Sequence, residues 1–202
     1  MCSVAKTVGK CPFCGISDML GVNNTPREAY DHYLPRKLYP FTSINFHNLV
    51  PACHHCNSSY KTSKDPAFTP KDKAGAIHRR KAFYPYSTED YSIEIIIDLK
   101  NPAIDRLVPA DVQLTFGPSD ILEEIETWKD VYGIEERYKD KCCSGDAKNW
   151  LEEIRILHDT YGIDPLKSLA MVKQLAEKDP VANSNFLQLA FLEGCQRIGL
   201  LS

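Results

Sequence analysis

The sequence predicts an α+β protein: a short front module held by paired cysteines, a small antiparallel strand pair, and a mainly helical C-terminal part. Three observations carry that prediction. Two Cys-x-x-Cys pairs, Cys11 with Cys14 and Cys53 with Cys56, enclose a stretch with little hydrophobic period. The β-branched run "YSIEIIIDL" (91–99) and "DVQLTFG" (111–117) read as neighbouring strands. From Ser119 onward, apolar residues recur at helical spacing. The 202 residues suffice for one good core, or for a small module plus a larger one. Apolar content of 43% and charged content of 25% are ordinary for a soluble globular chain. No apolar run approaches bilayer length. The opening "MCSVAKTVGKC" lacks the apolar segment of a signal peptide. A cytoplasmic protein with no membrane partner is therefore expected.

The front module is assigned to residues 1–64. A segment this thin in apolar residues needs a staple, and zinc is the usual one. Zinc accepts four thiolates tetrahedrally, and a two-residue gap lets one turn present two sulfurs. The pairs lie 38 residues apart, so the ion would tie two distant segments together. Neither pair sits in the strand-helix context of a thioredoxin-like redox motif. His54 and His55 fall between Cys53 and Cys56, but four cysteines suffice, so these histidines are expected at the surface or facing DNA. Cys2, Cys142, Cys143 and Cys195 stand apart and are expected as reduced thiols.

Residues 65–89 read as a basic, proline-containing linker or docking loop, with Phe83, Tyr84 and Tyr86 available to dock it. Residues 90–202 read as an accessory or partner-binding domain. Ser119 is the expected cap of "DILEEIETWKDVYG", with Ile121, Ile125, Trp128 and Tyr132 on one face. "DAKNWLEEIRILHDTYG" places Trp150, Ile154, Leu157 and Tyr161 likewise. Two further helices each begin Asp-Pro, at Asp164 and Asp179, where Asp caps and Pro suits the first helical position. "YGI" after each of the first two helices points to a repeated helix-ending turn. The apolar residues on these faces read as core. There is no nucleotide-binding glycine loop and no serine elbow.

Charge divides the chain. Residues 1–81 hold 12 Lys and Arg against 5 Asp and Glu, a formal +7, and residues 82–202 hold 12 against 22, a formal −10. The front half suits a polyanion; the back half repels one and suits a protein. Within the front half, "YDHYLPRKLYP" (30–40) sets Asp31 beside His32. Such a pair serves either as metal ligand beside general base or as a salt-linked core pair. A neutral imidazole, with a reference pKa of about 6.5, takes a proton from water. Carboxylate and amide oxygens suit a hard ion such as Mg²⁺ or Mn²⁺. Adjacent strand residues point to opposite faces, so both can serve one phosphate only through a distortion or a loop.

The order Cys-x-x-Cys, then "DHYLPR", then "HNLVPACHHCNSSYK", resembles the HNH endonucleases, the ββα-metal nucleases, in a four-cysteine zinc-stapled form. The resemblance covers about residues 11–64, a quarter of the chain. It implies a β-hairpin and a helix around a catalytic divalent ion, Mg²⁺ or Mn²⁺, beside the structural zinc of Cys11, Cys14, Cys53 and Cys56. His32 matches the general base and Asp31 a ligand of the ion. Asn48 matches the asparagine that braces the loop and orients the base, and Asn57 the last position, a second ligand. Many members have histidine at that last position, and the asparagine puts the preferred metal in doubt. The reaction implied is phosphodiester hydrolysis leaving 5′-phosphate and 3′-hydroxyl ends. A metal-ligating or purely structural role for His32 stays open at this point.

Arg36, Lys37, Lys61, Lys64, Arg79 and Arg80 are candidate contacts to DNA backbone, each equally readable as a solvated charge. His47, His78 and His158 carry no motif of their own. By the resemblance, some such proteins are the nuclease subunit of a bacterial antiphage system beside an ATPase subunit. A regulatory protein partner, or self-association through the C-terminal part, is therefore expected. The alternative is a zinc-stapled DNA-binding or protein-interaction module without catalysis. Nothing in the residues separates DNA from RNA as substrate.

Overall fold

The computed structural model describes residues 9–89 and 91–201. Cys2 lies outside them. The chain forms two compact units, Met1–Ile93 with Gly117–Ile134, and Glu94–Phe116 with Glu135–Ser202. The sequence reading placed boundaries at 64/65 and 89/90. Here residues 65–89 and the first long helix cluster with the cysteine-bearing segment.

In the first unit, strand β1 (Tyr30–His32) pairs antiparallel with β2 (Leu49–Pro51), in the register Tyr30 with Pro51, Asp31 with Val50 and His32 with Leu49. Both strands are three residues long. Pro35 follows β1 closely and Pro51 closes β2, and proline has no N–H to extend a ladder. A wide helical turn follows at His55–Lys61, in which Thr62 N–H donates to Asn57 O at 3.0 Å, five residues back. Residues 65–89 form an irregular hairpin closed by a Phe68–Arg79 bridge. Its tip is tied by Asp72, whose Oδ1 accepts from Ala74 N–H and Ala76 N–H, each at 2.8 Å. Its end docks on the strand pair: Tyr33 Oη donates to Phe83 O (2.9 Å), Tyr84 Oη to His47 O (2.7 Å) and Tyr86 Oη to Leu49 O (2.6 Å).

Helix α1 (Leu122–Tyr132) completes this unit, burying Ile125, Trp128, Val131 and Tyr132. Ser119 is not its cap. A 3₁₀ turn, Ser119–Ile121, intervenes after Pro118, and α1 starts without a side-chain cap. Phe13 stacks on Tyr132 at 4.5 Å, and Trp128 Nε1 donates to Phe13 O. Gly133 ends α1 in the left-handed region at φ 60°, where a Cβ would meet the Tyr60 ring at 2.2 Å.

The second unit opens with strands β3 (Glu94–Leu99) and β4 (Val112–Gly117), which form a second antiparallel pair. Helix α2 (Ile134–Cys143) was not anticipated: Ile134, Tyr138 and Cys142 form one buried column at four-residue spacing, too narrow to stand out from its charges. Helix α3 (Gly145–Tyr161) is capped by Ser144 and α4 (Pro165–Lys178) by Asp164, whose Oδ1 accepts from Leu166 N–H at 2.7 Å. Tyr161 departs from the expected core face and is exposed. Asp179 does not cap a long helix: its Oδ1 accepts from Ala182 N–H at 3.1 Å, a short turn follows at Ala182–Ser184, and α5 starts later, at Asn185–Arg197. Gly162 ends α3 as Gly133 ends α1, the repeated turn expected from "YGI". Cys142 and Cys195 are buried and Cys143 half-buried, all as free thiols. No described helix is long and apolar enough to cross a membrane.

Helix α5 lies close on β3. A Cβ at Gly194 would sit 2.5 Å from Ile97 O, a backbone atom that cannot rotate away. Arg197 Nη2 donates to that same oxygen at 2.5 Å. Gly194→Ala therefore gains about 1 kcal/mol of helix propensity but overpacks, which typically costs about 1–3 kcal/mol. A net loss is expected, read as a lower urea midpoint by Trp150 emission. A midpoint at or above that of the parent refutes the close contact.

Candidate functional site

The four sulfurs of Cys11, Cys14, Cys53 and Cys56 lie within 4.8 Å of one another and all four residues are buried. The first pair sits on a tight hairpin: Gly15 N–H donates to Cys11 O (2.8 Å), Cys11 N–H to Ser17 O (2.9 Å), and Lys10 bridges Asp18. The second pair sits where β2 runs into the wide turn. Backbone N–H groups point at the sulfurs, Cys53 at Cys11 Sγ (3.4 Å) and Cys56 at Cys53 Sγ (3.5 Å). Four sulfurs this close cannot all carry charge unless a cation lies between them. Hydrogen bonding from Cys11, Cys14 and Cys56 holds Cys53 toward the thiolate, and the same network pushes Cys11 and Cys56 up. The donor set, its burial and the N–H···S bonds fit a structural metal ion, and four thiolates suit zinc. His54 and His55 are exposed and are not part of this cluster.

The neighbouring strand pair carries the Asp-His motif. Asp31 is buried and His32 half-buried, so the two side chains leave opposite faces of β1. Asp31 does not stand free. Lys61, at the end of the wide turn and 1% exposed, places Nζ 3.1 Å from Asp31 Oδ1 and 2.7 Å from His32 O. Asp31 Oδ2 is buried with no hydrogen-bond partner. Burial raises the pKa of Asp31, and the Lys61 charge and hydrogen bond oppose that rise. Tyr132, whose hydroxyl is also buried without a partner, is pushed well up by burial and then by the charge of Asp31.

Asn48 ties the loop between the strands to the chain just beyond β1. Its Oδ1 accepts from Leu34 N–H (2.7 Å), and its Nδ2 donates to Leu34 O (3.1 Å) and Thr42 Oγ1 (3.2 Å). Tyr33 N–H adds a bond to Asn48 O at 2.8 Å. The buried amide thus fixes the backbone two residues beyond His32. Asn57, half-buried, begins the i to i+5 turn that Thr62 closes.

The candidate cations separate into three groups. Arg36, Lys37 and Arg79 are exposed, without an ion-pair partner among the described residues. Lys64 and Arg80 both hold Asp130, at 3.4 and 2.7 Å, and Arg80 Nη2 also donates to Asp65 O at 2.6 Å. Lys61 is inside, on Asp31, and presents nothing to a phosphate in this conformation. Neither Asp130 as anchor nor Lys61 as internal cation has a signal in the sequence, since a buried lysine is spelled like a surface one.

No family model matches the chain, and no solved structure does. The Septu protein PtuB of Bacillus thuringiensis is 28% identical to it over 82 residues, which are 39% of this chain and 32% of that protein. The chain thus spans about a third of that relative's length. What the geometry shows is a four-cysteine cluster capable of holding a metal ion, beside a histidine-bearing strand pair and a short helix.

Proposed function

We propose that the chain is a metal-dependent DNA endonuclease of the HNH type. The observation that carries this reading is the buried Oδ2 of Asp31, which has no partner, next to half-exposed His32 on the other face of the same three-residue strand, so the reading requires β1 to twist when both residues engage one phosphate. An orphaned carboxylate oxygen is costly to bury, and a cation is the partner such an atom lacks. Asp31, through Oδ2, and Asn57 are the residues that would hold a divalent ion, which when bound supplies neutralisation of charge on the phosphate. His32, as neutral imidazole, takes the proton of the attacking water. The water oxygen bonds to phosphorus, the bond to the 3′-oxygen breaks, and that oxygen leaves with a proton from solvent. Asn48 keeps the strand end rigid under His32, and Lys61 keeps Asp31 in place.

A protein partner belongs to the same proposal, an ATPase subunit of an antiphage system being the candidate. It is supported by the similarity to a Septu protein and by the acidic second unit, where Ile156, Tyr161, Leu166 and Met171 stand exposed on α3 and α4.

The test is incubation with supercoiled plasmid in Mg²⁺, Mn²⁺ or EDTA, with zinc content checked after each. Metal-dependent nicking is expected, and His32→Ala is expected to lose about a hundredfold or more. Cutting that ignores metal, or survives in the variant, removes the reading. A second reading, a zinc-stapled module that binds without cutting, is favoured by one observation, the Lys61 ammonium already seated on Asp31 Oδ1. Zinc-loaded protein that binds plasmid and never cuts it would select that reading.

A further inference from the structure

The loop between β1 and β2 exposes three large apolar side chains: Phe41 (95% exposed), Ile44 (86%) and Phe46 (84%). Exposed apolar residues scattered singly need no explanation, but three on one short loop do. The loop is not slack. Consecutive turns close it, with Thr42 N–H on Tyr39 O (3.1 Å), Asn45 N–H on Thr42 O (3.0 Å) and Asn48 N–H on Asn45 O (2.8 Å). Side chains reinforce them: Asn45 Oδ1 accepts from His47 N–H (3.0 Å), and Ser43 Oγ donates to Pro40 O (2.6 Å). Asn48 then bolts this knob to the chain just beyond β1. A rigid backbone thus holds apolar groups in water, which suits a partner met without reordering.

Charge says which partner. Between Asp31 and Asp65 the chain has no acidic residue, while Arg36 and Lys37 stand exposed at the base of the knob. A groove of about 620 Å³ lies alongside, lined by Leu38, Tyr39, Phe68 and Lys71. Its Lys64 and Arg80 are engaged by Asp130, and Asp65 also lines it, so the free positive charge beside the loop is that of Arg36 and Lys37. Convex apolar wedges of Phe, Leu and Ile flanked by basic residues are how proteins enter and unstack duplex DNA. Single-strand binders instead use concave grooves with aromatic platforms.

We propose that the knob of Phe41, Ile44 and Phe46 inserts at a base step of duplex DNA and unstacks it. The inference rests on DNA being the substrate and adds the form in which it is held. The test uses short duplexes carrying 2-aminopurine, without added divalent ion, on the parent and on the Phe41→Ser/Ile44→Ser/Phe46→Ser variant. These side chains are solvent-exposed, so zinc content and circular dichroism should match the parent. Emission should rise when the parent binds, as the base unstacks, and the variant should bind about tenfold or more weakly with no rise. Equal affinity in the variant, or a flat signal in the parent, overturns the wedge and hands the knob to a protein partner. Preference for single strands without duplex unstacking overturns it too. Plasmid cleavage is read separately: unstacking without metal-dependent cutting removes the nuclease and leaves the wedge, and the reverse removes the wedge alone.

Discussion

Cys53→Ser is expected to abolish metal binding and to destabilise the first unit. Cys53 joins both halves of the cluster: it accepts from Cys56 N–H, gives its own N–H to Cys11 Sγ, and stands where β2 meets the wide turn. Serine is a poor ligand for a zinc-like ion and shorter than the thiolate it replaces. Structural zinc supplies about 10–16 kcal/mol of apparent folding energy in small zinc domains. The first unit also has an aromatic core of Phe13, Phe83, Trp128 and Tyr132, so part of its order should outlast the metal. A loss of several kcal/mol is the expected result. Metal analysis should fall from one ion per chain to none. Trp128 reports the consequence, because its indole N–H bonds Phe13 O inside the first cysteine pair. Its emission should shift red, while Trp150, in the other unit, serves as internal reference. Unchanged metal content and an unchanged Trp128 environment would show that the four sulfurs are clustered without a ligand role.

Lys61→Met should cost about 3–5 kcal/mol, the usual penalty for removing one partner of a buried ion pair. The length and apolar stem are retained, so the loss reports the ammonium group and its bonds to Asp31 Oδ1 and His32 O. Asp31 would keep its buried seat with one oxygen already unpartnered and the other newly so. The pair itself need not be stabilising, since replacing both partners is often neutral. The double variant Asp31→Asn/Lys61→Met should therefore recover most of the loss in a denaturant cycle. It should also fail to cut plasmid. A cost below about 1 kcal/mol for the single variant, the range of exposed pairs, would place Lys61 in solvent.

The cysteine cluster was legible because ligand spacing is chemical and local: two residues between sulfurs mean one turn. Helix α3 was legible from its period and α4 from its Asp-Pro start, and β3 and β4 from their β-branched runs. What escaped reading depends on contacts distant in sequence. Helix α1 packs on Phe13, more than a hundred positions away, so a cut drawn along the chain separates what the fold joins. Lys61 escaped because charge pattern favours a solvated lysine, and only the buried carboxylate across the strand pair reverses that preference. Phe41, Ile44 and Phe46 escaped for the opposite reason: hydrophobicity predicts burial in general, and these three are left outside. Asn48 was named from resemblance; its hold on Leu34 is visible only in three dimensions.

The interleaving of the two units has a consequence for synthesis. The fourth cysteine emerges at residue 56, but the indole that bonds Phe13 O emerges only at residue 128. At about 5–20 residues per second, the interval lasts roughly 4–14 s. During that time the nascent chain has a complete set of thiols but lacks Trp128 and Tyr132, the two aromatic residues that α1 brings to Phe13. A metal ion can enter while the cluster is open, and α1 then packs on Phe13. The order of the gene thus leaves an interval in which loading can precede enclosure.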